Sequence, residues 1–482
     1  MRSSAILAFS NKHRLLRFAA GVTISLTLPL SAHAADRGNA NTSDGAFALY
    51  DLSSGSSNTA VGYDSLRFLT TGSNNTAVGF QSLDQNNGAD NTATGYQALF
   101  ANTSGTRNTA AGWQALTNNT TGGSNTASGW RALYGSNGSN NTAAGYLAGA
   151  NAAGSSNTAI GSGTIIYGTG SYNTATGAEA LLGVYNASTA SNNTATGYAA
   201  LYYSTTGESN TATGARALTS NSSGYSNTAE GANALENNNN GHENFAGGAG
   251  ALSSSQSGNN NTAAGFQALL NNQGSNNIGI GANAGANLTT GGNNIDIGAV
   301  GAAGESNTIR IGKAGTQKMT FVQGISGATV PNGVQVVVNP AGKLGTIVSS
   351  ARYKEEIKPM EHASETLLSL QPVTFKYKKD LDPEGIPQFG LVAEEVEKVN
   401  PDLVARDGDG KVYTVRYEAV NAMLLNEFLK EHKRNEQQQK AIDTLTALVE
   451  RQAAQIEKVA ARVESNKAAP QLARQKRGNV SY

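Results

Sequence analysis

Asn75-Thr76-Ala77-Val78-Gly79-Phe80-Gln81-Ser82-Leu83 recurs as Asn91-Thr92-Ala93-Thr94-Gly95-Tyr96-Gln97-Ala98-Leu99, and again as Asn108-Thr109-Ala110-Ala111-Gly112-Trp113-Gln114-Ala115-Leu116. The Asn-Thr-Ala start, or a close variant, lies at Asn58, Asn75, Asn91, Asn108, Asn125, Asn141, Asn157, Asn173, Asn193, Asn210, Asn227, Asn244, Asn261, Asn277, Asn294 and Asn307. Intervals are 16 or 17 residues, apart from 20 before Asn193 and 13 before Asn307. Self-similarity at a fixed period signals stacked repeats. Each unit is too short for two packed helices, so the spacing predicts one solenoid coil of two short strands joined by Gly, Asn and Ser turns.

A Leu stands eight positions after the Asn in most units, as in Leu66, Leu83, Leu99, Leu116, Leu133, Leu201 and Leu218. Stacking places these side chains in one internal ladder, because one coil cannot bury its apolar face alone. Sixteen coils at about 4.8 Å each give a rod roughly 75 Å long. The inward face of the Asn-Thr-Ala-x strand is open at this stage. Charge in the middle of Ile295-Asp296-Ile297 and Ile309-Arg310-Ile311 points the flanking residues inward, whereas Glu230 at a flanking position argues the reverse. The middle residue is small in most units, as a crowded contact between chains would require.

The rest of the chain frames this region. Arg2, Lys12, Arg14 and Arg17 precede an apolar run at 18–30 and the small-x-small site Ala32-His33-Ala34. This is the pattern of a secretory signal peptide, and no later run is apolar enough to cross a bilayer. The chain has no cysteine, so stability must come from packing and assembly. Its formal net charge is zero, which leaves no electrostatic footprint for nucleic acid. Residues 35–307 are rich in Gly, Ala, Ser, Thr and Asn, whereas Lys and Glu become dense from Arg352 onward; that break marks a domain boundary.

Between 313 and 348 the repeat dissolves into a neck. Thr320-Phe321-Val322 and Val334-Gln335-Val336-Val337-Val338 read as strands there. A compact α+β module follows: a helix over 363–370, strands over 373–377 and 388–392, a helix over 393–399, and a hairpin around Asp407-Gly408-Asp409-Gly410. The Asp-Gly string lacks the downstream Glu of a calcium loop and reads as a turn. An amphipathic helix over 417–433 leads into heptads with Ile442, Val449, Ile456 and Val463 at one core position and Leu445 and Val459 at the other, which fit two or three strands. The last residues, 467–482, read as a frayed tail.

Two resemblances follow. The Asn-Thr-Ala-x-Gly units that end in Asn-x-Ile-x-Ile-Gly resemble the heads of trimeric autotransporter adhesins. The resemblance implies three chains, each a left-handed β-roll, around one axis. The period differs, because those heads run near fourteen residues per coil, and the C-terminal residues do not read as that family's membrane β-barrel. The stretch from Ser349 to about residue 433 resembles the intramolecular chaperone of endosialidase-type phage tail spikes. The carriers are Ser349-Ser350-Ala351-Arg352-Tyr353-Lys354 with Ile357, Gly390-Leu391-Val392-Ala393-Glu394-Glu395-Val396, and the helix entry over 415–425. That family trimerises its stalk and then cleaves just before the Ser. The resemblance implies Ser349 as nucleophile, Lys354 as base and the bond Val348–Ser349 as the cut; Ser350 stands where Asp is typical.

The chemistry is consistent with this. A Ser hydroxyl needs an adjacent base to attack an amide. A lysine serves only when burial lowers its pKa from about 10.4, and assembly into a trimer is the expected source of that burial. Arg352 either supports an oxyanion or pairs with Glu355 or Glu356, pairing being the plainer reading. Taken alone, a Ser and a Lys five residues apart mean little; Ser349 or Ser350 could simply cap a helix.

The sequence thus predicts a mainly β chain: a trimeric parallel β-solenoid rod, a small α+β chaperone module and a C-terminal coiled coil. Its divisions are a signal peptide at 1–34, head repeats at 35–312, a neck at 313–348, a self-cleaving chaperone at 349–433, a coiled coil at 434–466 and a tail at 467–482. It is read as an exported, extracellular or cell-surface bacterial fibre, a homotrimer without cofactor, metal or membrane span after signal cleavage. The ligand of its rod, cell-surface or glycan, has no signature. The alternative is an adhesin fibre that retains its C-terminal module. Asn-x-Thr triplets such as Asn74-Asn75-Thr76 read as turn chemistry forced by the repeat, and a Thr ladder as a by-product of stacking rather than an ice-binding array. Export predicts that N-terminal sequencing of extracellular protein starts at Ala35; material beginning at Met1 would refute it.

Overall fold

The computed structural model describes residues 35–475 except 37, 186, 318 and 326, with side chains described within 38–466. The expected signal peptide therefore lies outside the described residues. The chain divides into two compact units between Phe321 and Val322, inside the segment read as a neck.

The first unit is a parallel β-solenoid. Three-residue strands from Thr42–Asp44 to Ile309–Ile311 join one 18-stranded sheet, with Ala35–Asp36 antiparallel at its start. Pairing is in register throughout: Thr59, Ala60 and Val61 face Thr76, Ala77 and Val78, and Ile295, Asp296 and Ile297 face Ile309, Arg310 and Ile311. The coil opened by Thr42–Asp44 precedes the first one found from sequence. Ser43 replaces Ala there, although Asn41, Gly45 and Leu49 keep their places.

The middle residue points inward in the strands from Thr42–Asp44 to Ile295–Ile297, whereas Arg310 of the last strand is exposed. Ala60, Ala77, Ala93, Ala110 and Ala127 are buried, while their flanking residues lie partly or fully exposed. The inward-flank reading drawn from the charged late units is thus overturned, and Glu230 pointed the right way. Middle residues are small because a coil of this length has a narrow interior, which Leu66, Leu83, Leu99 and Leu116 fill from the opposite side. The crowding is within the chain.

Only one strand per coil forms, where two were expected. On the Leu side the backbone is left-handed: Gln114 has φ 54° and Leu116 φ 53°. A left-handed non-glycine residue costs roughly 1–2 kcal/mol, and burying a Leu returns about 1.5–3 kcal/mol. The left-handed Leu still donates its N–H to the next coil, from Leu99 N to Ala115 O at 2.9 Å and from Leu116 N to Ala132 O at 2.9 Å. Gly112 is needed at the intervening corner. Its φ is 139°, and a Cβ would lie 2.4 Å from the Gly129 carbonyl oxygen.

The leading asparagines are structural. Asn108 N–H donates to Asn91 Oδ1 at 2.9 Å, and Asn108 Nδ2 donates to the Gly122 carbonyl at 2.9 Å. The same pattern repeats at Asn75, Asn193, Asn210 and Asn244. Buried amides are tolerable only when their donors and acceptors are used, and here each coil supplies the next. Asn74, in the glycosylation-like triplet, sits at φ 59° and donates from Nδ2 to Asp90 Oδ1 at 2.9 Å, in keeping with a turn residue.

The residue after the corner glycine carries a second ladder. Tyr63, Phe80, Tyr96, Trp113, Trp130 and Tyr146 stack with ring centroids 4.8–5.6 Å apart and planes within 10°. Later coils place Ala215, Ala232 and Ala249 here, so the coil does not require an aromatic. Each stacked pair adds roughly 0.5–1.5 kcal/mol beyond its buried area.

The second unit is α+β. Val336–Val338 pairs with Leu344–Thr346, Val373–Phe375 with Gln388–Gly390, and Val404–Arg406 with Val412–Val415, all antiparallel. No strand forms at 320–322. The helix read over 363–370 is a 3-10 segment, Glu361–Ser369, and the helix Ala393–Val399 is as read. Asp407 uses its carboxylate inside the hairpin turn, accepting from Asp409 and Lys411 N–H at 3.0 and 2.9 Å, as a plain turn would. Val396, Leu403, Val404, Val415 and Met423 form the core. One helix, Tyr417–Gln475, runs from that core through the heptads. The tail expected to fray from 467 stays helical through Gln475. Ile442, Val449, Ile456, Val459 and Val463 are exposed along it.

Asp296 gives a test of the solenoid interior. It is buried, and neither carboxylate oxygen has a hydrogen-bond partner among the described residues. Desolvation, then the Glu305 charge, pushes its pKa up to about 6, against the opposing pull of Arg310. Arg310 itself is taken by Glu305 at 2.6 Å. A folded pKa above the unfolded value means that stability falls as pH rises from about 4 through about 6, and stays lowered above that. Asp296→Asn should remove this component and raise the thermal midpoint at pH 7 but not at pH 4. Circular dichroism melts of both proteins at the two pH values decide it; equal shifts at both would show that ionisation is not the cause.

Candidate functional site

From Ala341 to Pro359 every residue is exposed, and Ser349 to Lys354 lie in this stretch. Ser350 is extended, at φ −65° and ψ 141°. Ala351–Tyr353 make one 3-10 turn, and Lys354 returns to extended geometry while its N–H donates to Ala351 O at 3.1 Å. The tight turn shortens the path between positions five residues apart. It brings the Lys354 side chain back over Ser349, where Lys354 Nζ donates to Ser349 Oγ at 3.1 Å. The two residues singled out as nucleophile and base are therefore in hydrogen-bond contact, inside the 2.6–3.2 Å reach of a base for its proton.

The single chain does not desolvate this pair, since both residues are exposed. Val348, on the other side of the bond, is 52% exposed and equally open to a neighbouring chain. Arg352 departs from the expected pairing. Its guanidinium lies over the Tyr353 ring at 4.7 Å, while Glu356 faces Lys358 at 3.7 Å. A planar guanidinium on an adjacent ring competes well with an exposed, screened ion pair.

Sequence reading missed a cluster beyond Lys354. Ser364, on the 3-10 segment Glu361–Ser369, is fully buried and meets Asn426, Glu427 and Lys430 of the long helix. A polar residue among Leu367, Leu370 and Met360 was the available signal, but its partners are more than sixty residues away. An apolar groove of about 510 Å³ opens beside the same helix, lined by Leu367, Leu370, Val373, Phe389, Leu391 and Leu424. Among the described residues there is no cluster of three metal-ligating side chains, and no helix long and apolar enough to cross a membrane.

The chain thus joins a parallel solenoid unit to an α+β module that opens on a Ser–Lys contact. Residues 349–405 match the model of the family described as chaperone of endosialidase. The chain is also similar to the long tail fiber protein Gp37 of Escherichia phage AR1, 36% identical over 87 residues. That alignment covers 16% of this chain and 8% of the phage protein. No solved structure matches the chain.

Proposed function

We propose that this protein is an exported fibre whose C-terminal module drives trimerisation and folding and then releases itself by cutting the Val348–Ser349 bond. The observation that carries the reading is the 3.1 Å contact between Lys354 Nζ and Ser349 Oγ, at the first residue of the family match. Neutral Lys354 takes the Ser349 hydroxyl proton. The oxygen attacks the Val348 carbonyl carbon, the C–N bond breaks, and the proton passes to the Ser349 nitrogen. Water then hydrolyses the resulting ester, leaving a Val348 carboxylate and a free Ser349 amine. Because the nucleophile is tethered to its target, its effective concentration is very high.

Trimerisation is supported by the apolar side chains that one chain leaves in water. Ile442, Leu445, Val449, Ile456 and Val463 keep the heptad phase of Leu424 and Phe428, and all are exposed. A helix of this length without a partner has little to hold it. Ile280, Ile297, Ile309 and Ile311 are likewise exposed on the flanks of the last solenoid strands. Closing three chains around the dyad would exclude water from Lys354, so assembly would switch the cut on. The similarity to a phage tail fibre protein favours a fibre role over an enzyme acting on external substrates.

Native protein should run on a denaturing gel as two fragments whose new N-terminus is Ser349. Ser349→Ala, Lys354→Ala and Lys354→Arg should each stay intact, the last because a guanidinium keeps its proton. All three should remain trimeric by sedimentation, since none touches the heptad core. A native trimer that stays intact would favour the retained-module fibre, and cutting of Ser349→Ala at the same bond would assign the cut to another protease.

A further inference from the structure

Ser364 hydrogen-bonds chiefly to the long helix, with a longer contact of 3.4 Å to the Glu361 carbonyl of its own segment. It donates to Glu427 Oε1 at 2.5 Å and accepts from Asn426 Nδ2 at 2.6 Å, with Lys430 Nζ at 3.5 Å. Asn426 also donates to the Glu361 carbonyl at 3.1 Å. Lys430 bridges Glu427 at 2.7 Å and Glu365 at 3.2 Å. A hydroxyl offers one donor and two acceptor sites, so this serine is fully committed, and it is buried away from any external substrate. Its role is placement.

What it places is the segment before it. From 341 to 359 nothing is buried, and the first contact with the module's core after the dyad is Met360, followed by Ser364, Leu367 and Leu370. The apolar members of that set would tolerate sliding along the helix, because burial is non-directional. The polar members would not. Ser364 meets Asn426 and Glu427 at one turn of the helix only, which fixes where the 3-10 segment sits and hence where the chain bearing Ser349 and Lys354 leaves the body. The same helix carries the heptads.

We propose that Ser364, Asn426, Glu427 and Lys430 form a latch that holds the dyad segment at a fixed height on the oligomerising helix, making Ser364 a positioning residue for self-cleavage. The inference rests on the self-cleavage reading above. It links association to chemistry: helices brought together at the heptads carry three latched segments to the axis in the same register. A nucleophile or base displaced by about 1 Å can lose two orders of magnitude in rate.

The test compares cleavage rates of trimers purified at equal concentration. Ser364→Ala and Glu427→Ala should slow cutting by at least about tenfold, while Glu427→Gln, which keeps an acceptor for the serine, should stay near native. A merely structural role would instead track trimer yield and melting temperature, and would not separate Gln from Ala at 427 in intact trimers. If Ser364→Ala does not assemble, Glu427→Ala carries the comparison. In the uncut Ser349→Ala background, the latch variants should also speed hydrogen exchange of amides 350–369. Native cleavage with latch variants at native rate overturns the latch and leaves the dyad reading standing. An uncut native trimer overturns both.

Discussion

The solenoid depends on one constraint: each coil must present to the next the same backbone groups at the same positions. The strand supplies only three residues per coil, far too few to hold a sheet by side-chain packing. Register is therefore kept by groups that repeat identically, the leading Asn amide above all. Asn75 Oδ1 accepts from Asn91 N–H, while Asn75 Nδ2 donates to Asn58 Oδ1. A slip of one residue would leave buried amides unpaired in every coil at once, at a cost of about 1–3 kcal/mol for each. That cumulative penalty explains why the period is held so closely where the intervening loops vary in sequence, and why the strands on either side of the longer interval before Asn193 stay in register.

How much of this was legible in sequence depends on whether the governing contacts are periodic. The Asn, Gly and Leu positions repeat, so every coil but the first and the buried Leu ladder could be read directly. The inward face could not, because Ala is compatible with a crowded exterior and a narrow interior alike. The charged middle positions misled for a physical reason. Arg310 belongs to the final strand and is exposed, as a charge should be, whereas Asp296 is a buried carboxylate that the interior tolerates at the expense of a raised pKa. The single strand per coil was also hidden: nothing in the letter Leu announces a left-handed backbone, and only the closeness of successive coils forces it.

The C-terminal module was legible differently. Its strands and short helix followed from local pattern, and the dyad from resemblance rather than spacing. The geometry adds the reason for their contact, a single 3-10 turn that folds Lys354 over Ser349. The latch is the counterpart. Ser364 and Asn426 are distant in sequence and unremarkable by type, so their meeting is a tertiary fact with no periodic trace. The two halves thus solve opposite problems. The repeat half is specified by many weak identical contacts, and the module by a few specific ones that must be correct in three dimensions.

The aromatic stack has an optical consequence. Trp113 and Trp130 are the chain's two tryptophans, and their rings lie 5.3 Å apart with planes within 4°. Tyr96 and Tyr146 flank them in the same column. Indoles this close share excitation, and the adjoining phenols feed them energy. Tryptophan emission from this protein therefore originates from two adjacent coils of the solenoid. A denaturation followed by selectively excited tryptophan emission would report that column alone, whereas tyrosine emission would also carry the C-terminal module's Tyr353, Tyr377, Tyr413 and Tyr417.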